Sequence, residues 1–142
     1  MTRDELFQEL EKATLYVMKG MHKQMPKSDC SPAQSHMLII LDVGKPTTVK
    51  ELAARLDVTS GATTQHIEEL ERLGLATRKP HPADRRKVVV TLTRRGRRTA
   101  KVTLKYKRQM LNELFADLSD DELATLVTLL QKACRKYQPK ED

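Results

Sequence analysis

The sequence predicts a mainly α-helical fold with a small β-hairpin wing, a winged helix-turn-helix flanked by N- and C-terminal helices. Three observations carry that expectation. Apolar residues recur at three- and four-residue intervals through most of the 142 residues. The pattern turns extended and β-branched only between Leu75 and Leu92. Four Ser/Thr-x-x-Glu/Gln capping patterns stand where the periodicity changes, so separate local signals agree. With two Phe, three Tyr and no Trp, the core must be built from Leu, Val, Ile, Met and Ala, which suits helices packed on helices in one domain's length of chain.

Leu6, Leu10, Ala13, Val17 and Met21 mark a first helix over 2–24, capped by Thr2 and Glu5 and ended by Pro26. A linker of Lys27, Ser28, Asp29 and Cys30 leads to Ser31-Pro32-Ala33-Gln34, a capping box with proline at the first helical position. The second helix then runs to about Val43, where Gly44-Lys45-Pro46 closes it. Thr48 and Glu51 open a short helix over 48–56, Asp57 and Val58 turn the chain, and Thr59 or Ser60 caps a further helix to about Leu73. Its expected inward face is Ala62, His66 or Ile67, Leu70 and Leu73, and Gly74 supplies the left-handed stop. Two helices joined by so short a turn cross steeply, as in a helix-turn-helix.

Leu75–Lys79 and Val88–Leu92 read as a hairpin whose tip is basic. Thr93 opens a long helix to about Asp117 with Val102, Tyr106, Met110 and Leu114 on one face. Ser119 to Glu122 caps the last helix. Its stripe of Leu123, Leu126 or Val127, Leu130, Ala133 or Cys134, and Tyr137 is too apolar to stand free. Pro139 to Asp142 is expected to fray.

The formal charge is +7 and the pI about 9.5, and the excess is local. Between Arg72 and Arg108 lie 14 of the 26 Lys and Arg residues against one acid, Asp84, a distribution that points to a polyanion partner. No stretch is apolar enough for a membrane span or a signal peptide, so a cytoplasmic protein is expected. Cys30 and Cys134 make no disulfide framework and are expected to be reduced. A phosphate-cradling glycine loop, a nucleophile elbow and a pair of carboxylates in an apolar pocket are all missing, which argues against an enzyme and against a cofactor. The four histidines include no pair one helical turn apart, so no metal site is expected.

A recognition helix brings short polar side chains to base edges while its N-terminal amides meet a phosphate. Thr59, Ser60, Gly61, Ala62, Thr63, Thr64, Gln65 and His66 fit that task; the small residues allow close approach and Gln65 can pair bidentately with adenine. In the hairpin, Arg78 and the tip Asp84-Arg85-Arg86-Lys87 supply cations. Asp84 can hold one guanidinium so that another projects into a narrow minor groove. Arg94, Arg95, Arg97 and Arg98 are placed for flanking phosphates, with part of that run simply solvated.

Taken jointly, Thr59 to Glu71, Gly74-Leu75, Asp84-Arg85-Arg86, Val90-Thr91-Leu92-Thr93 and Gly96 resemble the MarR family of bacterial and archaeal regulators, and the helices on either side match in number and order. The resemblance implies a single domain over 1–142. In it, 2–24 and 94–137 would be dimerisation helices and 31–92 the DNA-binding region, in a triangular homodimer on a pseudo-palindromic double-stranded operator. It also implies a repressor released by a small, often aromatic or phenolic molecule. Where many relatives carry arginine in the recognition helix this chain has Gln65, so base preference does not transfer.

For the effector, Tyr16, Cys30, His36, Met37 and Tyr106 are candidates, with plain packing the commoner role for each such residue. Cys30, just before a helix N-terminus and near Lys27, is expected to favour thiolate, which opens an alternative reading as an oxidant-sensing regulator. A winged helix that binds RNA or protein is a further alternative. It would call for stacking aromatics, and 59–92 contains none.

Overall fold

The structure, a computed structural model, describes residues 1–24 and 28–138. Pro26 and Lys27, and the tail from Pro139 to Asp142, lie outside the described residues. The chain divides into two compact units, Lys27–Lys105, and Met1–Pro26 with Tyr106–Asp142. None of its described helices is long and apolar enough to cross a membrane.

In the Lys27–Lys105 unit, α2 (Pro32–Asp42) starts on a complete capping box: Ser31 Oγ accepts from Gln34 N at 3.2 Å, and Gln34 Oε1 accepts from Ser31 N at 2.9 Å. Gly44, at φ +87°, turns the chain after it. The next box, Thr48 with Glu51, starts α3 (Val49–Leu56), and Asp57 ends it in the left-handed region at φ +52°. Asp tolerates that region better than most residues with a side chain, which keeps the turn to α4 (Ser60–Arg72) short.

Thr47–Thr48 forms β1, which pairs antiparallel with β3 (Val88–Leu92), and β3 pairs with β2 (Ala76–Pro80), giving the order β1-β3-β2. The sequence pattern did not reveal β1, because two residues have no period. Its register sets Thr47 opposite Val90 and Thr48 opposite Val89. Met37, Leu38 and Leu41 of α2, Leu52 of α3, Ile67 and Leu70 of α4, Leu75, Ala76, Val90 and Leu92 of the hairpin, and Ala100 form one buried core. Every helix of the unit contributes an apolar stripe to it, which fixes α4 and the hairpin together.

The start of α5 (Arg94–Leu114) is locked to the α4–β2 turn. Thr93 N donates to Leu75 O at 3.0 Å and Thr93 Oγ1 to Gly74 O at 2.7 Å, while Gly96 N donates back to Thr93 Oγ1 at 3.0 Å. Gly96 is buried against Leu75; a Cβ there would lie 1.9 Å from the Leu75 carbonyl oxygen.

In the other unit, α1 (Arg3–Gln24) begins with the Thr2–Glu5 box and α6 (Asp120–Ala133) with the Ser119–Glu122 box. Helix α5 ends at Leu114, a little before the expected limit near Asp117. Beyond Phe115 the amides bond three residues back, Ala116 to Glu113 and Leu118 to Phe115, so the last turn tightens and leaves the helix. The α6 stripe likewise ends at Ala133, followed by a 3-10 turn at Arg135–Tyr137. Met110 is buried here, whereas Leu6, Phe7, Leu10, Leu15 and Met18 of α1 and Val127, Leu129 and Leu130 of α6 are exposed.

Candidate nucleic-acid interface

Thr59 is the N-cap of α4: its Oγ1 accepts from Ala62 N at 3.1 Å. Ser60, Gly61 and Gln65 are exposed in the first turns, and Ala62, Thr64 and His66 are half-buried. Nothing lies within 4 Å of the position a Cβ would take on Gly61, so this turn is open to close approach by a partner.

Two expectations for α4 need correction. Thr63 is not among the exposed residues: it is 0% accessible, and its hydroxyl donates to Thr59 O at 2.9 Å. The inward face is Thr63, Ile67 and Leu70. Ala62 stands five residues before Ile67, about 140° around the helix, so it cannot share that face, whereas Thr63 at four residues can. His66, expected among the base readers, has its Nδ1 3.4 Å from Gln34 Nε2, a contact between α4 and α2.

The hairpin tip is a tight turn closed by Lys87 N donating to Asp84 O at 3.0 Å and His81 N to Lys87 O at 2.8 Å. Asp84 Oδ1 accepts from Arg86 N and from Arg86 Nε, each at 3.1 Å, and Arg86 Nη2 lies 3.4 Å from Oδ2. These bonds from Arg86 hold the Asp84 carboxyl below the usual carboxylate range. The Arg86 side chain that Asp84 braces stays 91% exposed, and Arg85 and Lys87 are exposed beside it. A side chain so oriented costs less entropy to immobilise on a ligand.

Arg78 is committed elsewhere. Its Nε lies 3.0 Å from Glu71 and its Nη2 3.8 Å from Glu68, so it ties β2 to α4 instead of presenting a free cation. Arg72 pairs in the same way with Glu69. Arg94, Arg95, Arg97 and Arg98 are all exposed, and of these Arg97 has its Nη1 tied to Leu92 O at 2.9 Å.

Of the effector candidates, His36 and Met37 line one cavity in the Lys27–Lys105 unit. Met37 is a core residue at 1% accessibility that also borders, with His36, a cavity of about 310 Å3 lined by Ala33, Arg55, Leu56, Val58 and His66. Tyr16 and Tyr106 are exposed. Cys30 is half-buried and packs on the core; burial pushes its thiol up, as do the charges of Asp29 and Glu69, and a bond from Ser28 opposes this only in part. The expected thiolate is therefore disfavoured, because desolvation outweighs the adjacent helix start.

Residues 28–87 match the sequence model of the MarR family. The chain is 35% identical over 105 residues to the multiple antibiotic resistance protein MarR of Escherichia coli, covering 73% of each chain. Among solved structures it is similar to Bordetella bronchiseptica BpsR, whose DNA binding is described as regulated by 6-hydroxynicotinic acid, with a TM-score of 0.73 and 25% identity over 95% of this chain and 93% of that one. It also shares its fold with Streptococcus pneumoniae FabT, solved in complex with DNA, at a TM-score of 0.73 and 21% identity over 96% and 98% of the two chains.

Proposed function

The chain belongs to the MarR family of transcriptional regulators, and from that premise we propose that it is a homodimeric, sequence-specific binder of double-stranded DNA that represses its target promoter. In this reading Ser60, Ala62, Thr64 and Gln65 meet base edges in the major groove, Thr59 and the first amides of α4 meet a phosphate, and Arg86, with Arg85 and Lys87, enters the adjacent minor groove. Asp84 and Arg78 act on DNA indirectly, by aiming Arg86 and by tying the wing to α4.

The observation that carries this reading is the pairing of an open, polar α4 N-terminus with a braced cationic tip, joined through Arg78, Glu68 and Glu71. The apolar side chains left exposed on α1 and α6 support a twofold partner, since a single chain gains nothing by exposing them. BpsR, a relative of similar fold whose DNA binding responds to a small aromatic acid, supports release by a small ligand here.

Footprinting on the DNA flanking the protein's own gene, with the intact protein and with Gln65→Ala, tests the proposal. Protection of two half-sites about one helical turn apart, altered in base preference by Gln65→Ala, is expected. Uniform protection of any DNA, or a monomer in sedimentation at footprinting concentrations, would overturn it.

A further inference from the structure

Helix α4 carries a carboxylate on a face where a helix that meets a polyanion gains nothing from negative charge. Its inward face is Thr63, Ile67 and Leu70. At about 100° per residue the opposite side is the line of Gly61, Gln65 and Arg72, and Glu68 stands beside that line, three residues after Gln65 and four after Thr64. Helical side chains lean back toward the N-terminus, so the Glu68 carboxylate belongs to the turn that holds Thr64 and Gln65. The side chain is 63% exposed.

Glu68, Glu69 and Glu71 differ in how their charge is used. Glu69 accepts from Arg72 Nε at 3.0 Å, and Glu71 lies 3.0 Å from Arg78 Nε. Glu68 faces the far end of the same Arg78, whose Nη2 is 3.8 Å away. That distance offsets charge but lies outside hydrogen-bonding range. Glu71 therefore suffices to tie Arg78 and β2 to α4, and the oxygens of Glu68 keep their lone pairs for another donor. A duplex carries one phosphate charge for about every 1.7 Å of its axis, so an acid on this face weakens binding unless it finds such a donor there.

The edges displayed in the major groove decide which donor fits, because an ionised carboxylate only accepts. Guanine shows the acceptors O6 and N7, and thymine shows the acceptor O4 and a methyl. Adenine sets its N6 amine beside the acceptor N7, whereas cytosine shows its N4 amine with no acceptor of its own. Given an α4 that reads the major groove, on which this inference depends, we propose that Glu68 is a specificity-determining residue that accepts a hydrogen bond from the N4 amine of one cytosine in each half-site. Arg78, held by Glu71, is the positioning residue behind it. Opposite thymine or guanine the same carboxylate is desolvated against acceptors, so the group that selects cytosine also rejects its competitors.

The test takes the intact protein, Glu68→Ala and Glu68→Gln through selection from a randomised duplex pool, then titrates the selected operator at fixed salt with the cytosine in question replaced. The intact protein is expected to select cytosine at one position of each half-site and to bind about tenfold more weakly when thymine stands there, the usual worth of a hydrogen bond to a charged group. Glu68→Ala should bind both duplexes within about twofold of each other, and Glu68→Gln should move the preference at that position to adenine, whose N6 and N7 an amide can pair. Glu68 is exposed, so neither variant disturbs the core. Three results would overturn the assignment: identical base frequencies from all three proteins, a uniform gain for every sequence in Glu68→Ala, as a merely repelling acid gives, or relaxation at all positions together, as a loosened wing gives. Gln65→Ala separates the two levels. If it alters base preference while Glu68→Ala does not, the cytosine assignment alone fails; if the intact protein selects no sequence, the DNA-reading proposal fails with it.

Discussion

Replacing Gly96 by alanine opposes two effects whose balance can be worked out. In a free helix the change would stabilise by about 1 kcal/mol, because glycine is the poorer helix former. Here the new Cβ would lie 1.9 Å from the Leu75 carbonyl oxygen and 2.9 Å from its carbon. Non-bonded carbons settle at about 3.5–4.0 Å, so the start of α5 must lift by roughly 1 Å, against backbone that cannot swing aside as a side chain can. Lifting it strains the bonds from Thr93 to Leu75 O and Gly74 O, at 3.0 and 2.7 Å. Overpacking costs about 1–3 kcal/mol and two such bonds about 1 kcal/mol each, so after subtracting the helix gain the net loss is about 2–4 kcal/mol. Gly61→Ala is the internal control, since its Cβ meets nothing within 4 Å; it should stabilise by about 0.5–1 kcal/mol. Urea unfolding of the three proteins at one protein concentration measures both. A Gly96→Ala protein as stable as the parent would refute the close approach of α5 to Leu75.

Arg86→Ala should weaken specific operator binding by about 1–3 kcal/mol in a titration at fixed salt, while Thr63→Val, a change inside the core, should leave base preference unaltered. Because Arg86 lowers the Asp84 carboxyl, the order this pair gives the wing is present above the ordinary carboxylate range and is lost as pH falls through the depressed native value. The 13C carboxyl shift of Asp84 against pH should therefore show a low midpoint that rises in Arg86→Ala. Burial that raises the Cys30 thiol also slows it as a nucleophile; mass spectrometry after brief alkylation at neutral pH should find the exposed Cys134 modified before Cys30.

Local chemistry made most of the fold legible. All four capping boxes form as the Ser/Thr-x-x-Glu/Gln spacing predicts, and Gly74 adopts φ +72° where the helix pattern stops. What stayed hidden depends on partners distant in sequence. The two residues of β1 are a strand only because β3 lies beside them. The inward face of α4 sits one position away from the one its apolar pattern marks, because Thr63 counts as polar in any pattern, yet its hydroxyl is spent inside its own helix on Thr59 O, leaving a methyl for the core. The thiolate expected at Cys30 rested on its sequence neighbours, and packing decided otherwise.

The same distinction separates the cations that a charge count treats as equal. Of the 14 Lys and Arg residues between Arg72 and Arg108, Arg72 and Arg78 face glutamates of α4, Arg86 faces Asp84, and Arg97 bonds a backbone carbonyl. The three acids near the end of α4 are thus answered locally, and the field that remains is concentrated at the 84–87 tip and the exposed residues of α5. Arg86 differs from the other paired cations in one respect: its partner fixes it while leaving it almost wholly accessible. Pairing removes Arg78 from the count of free charges, whereas for Arg86 it supplies direction, and direction is what a groove-reading guanidinium needs in addition to charge.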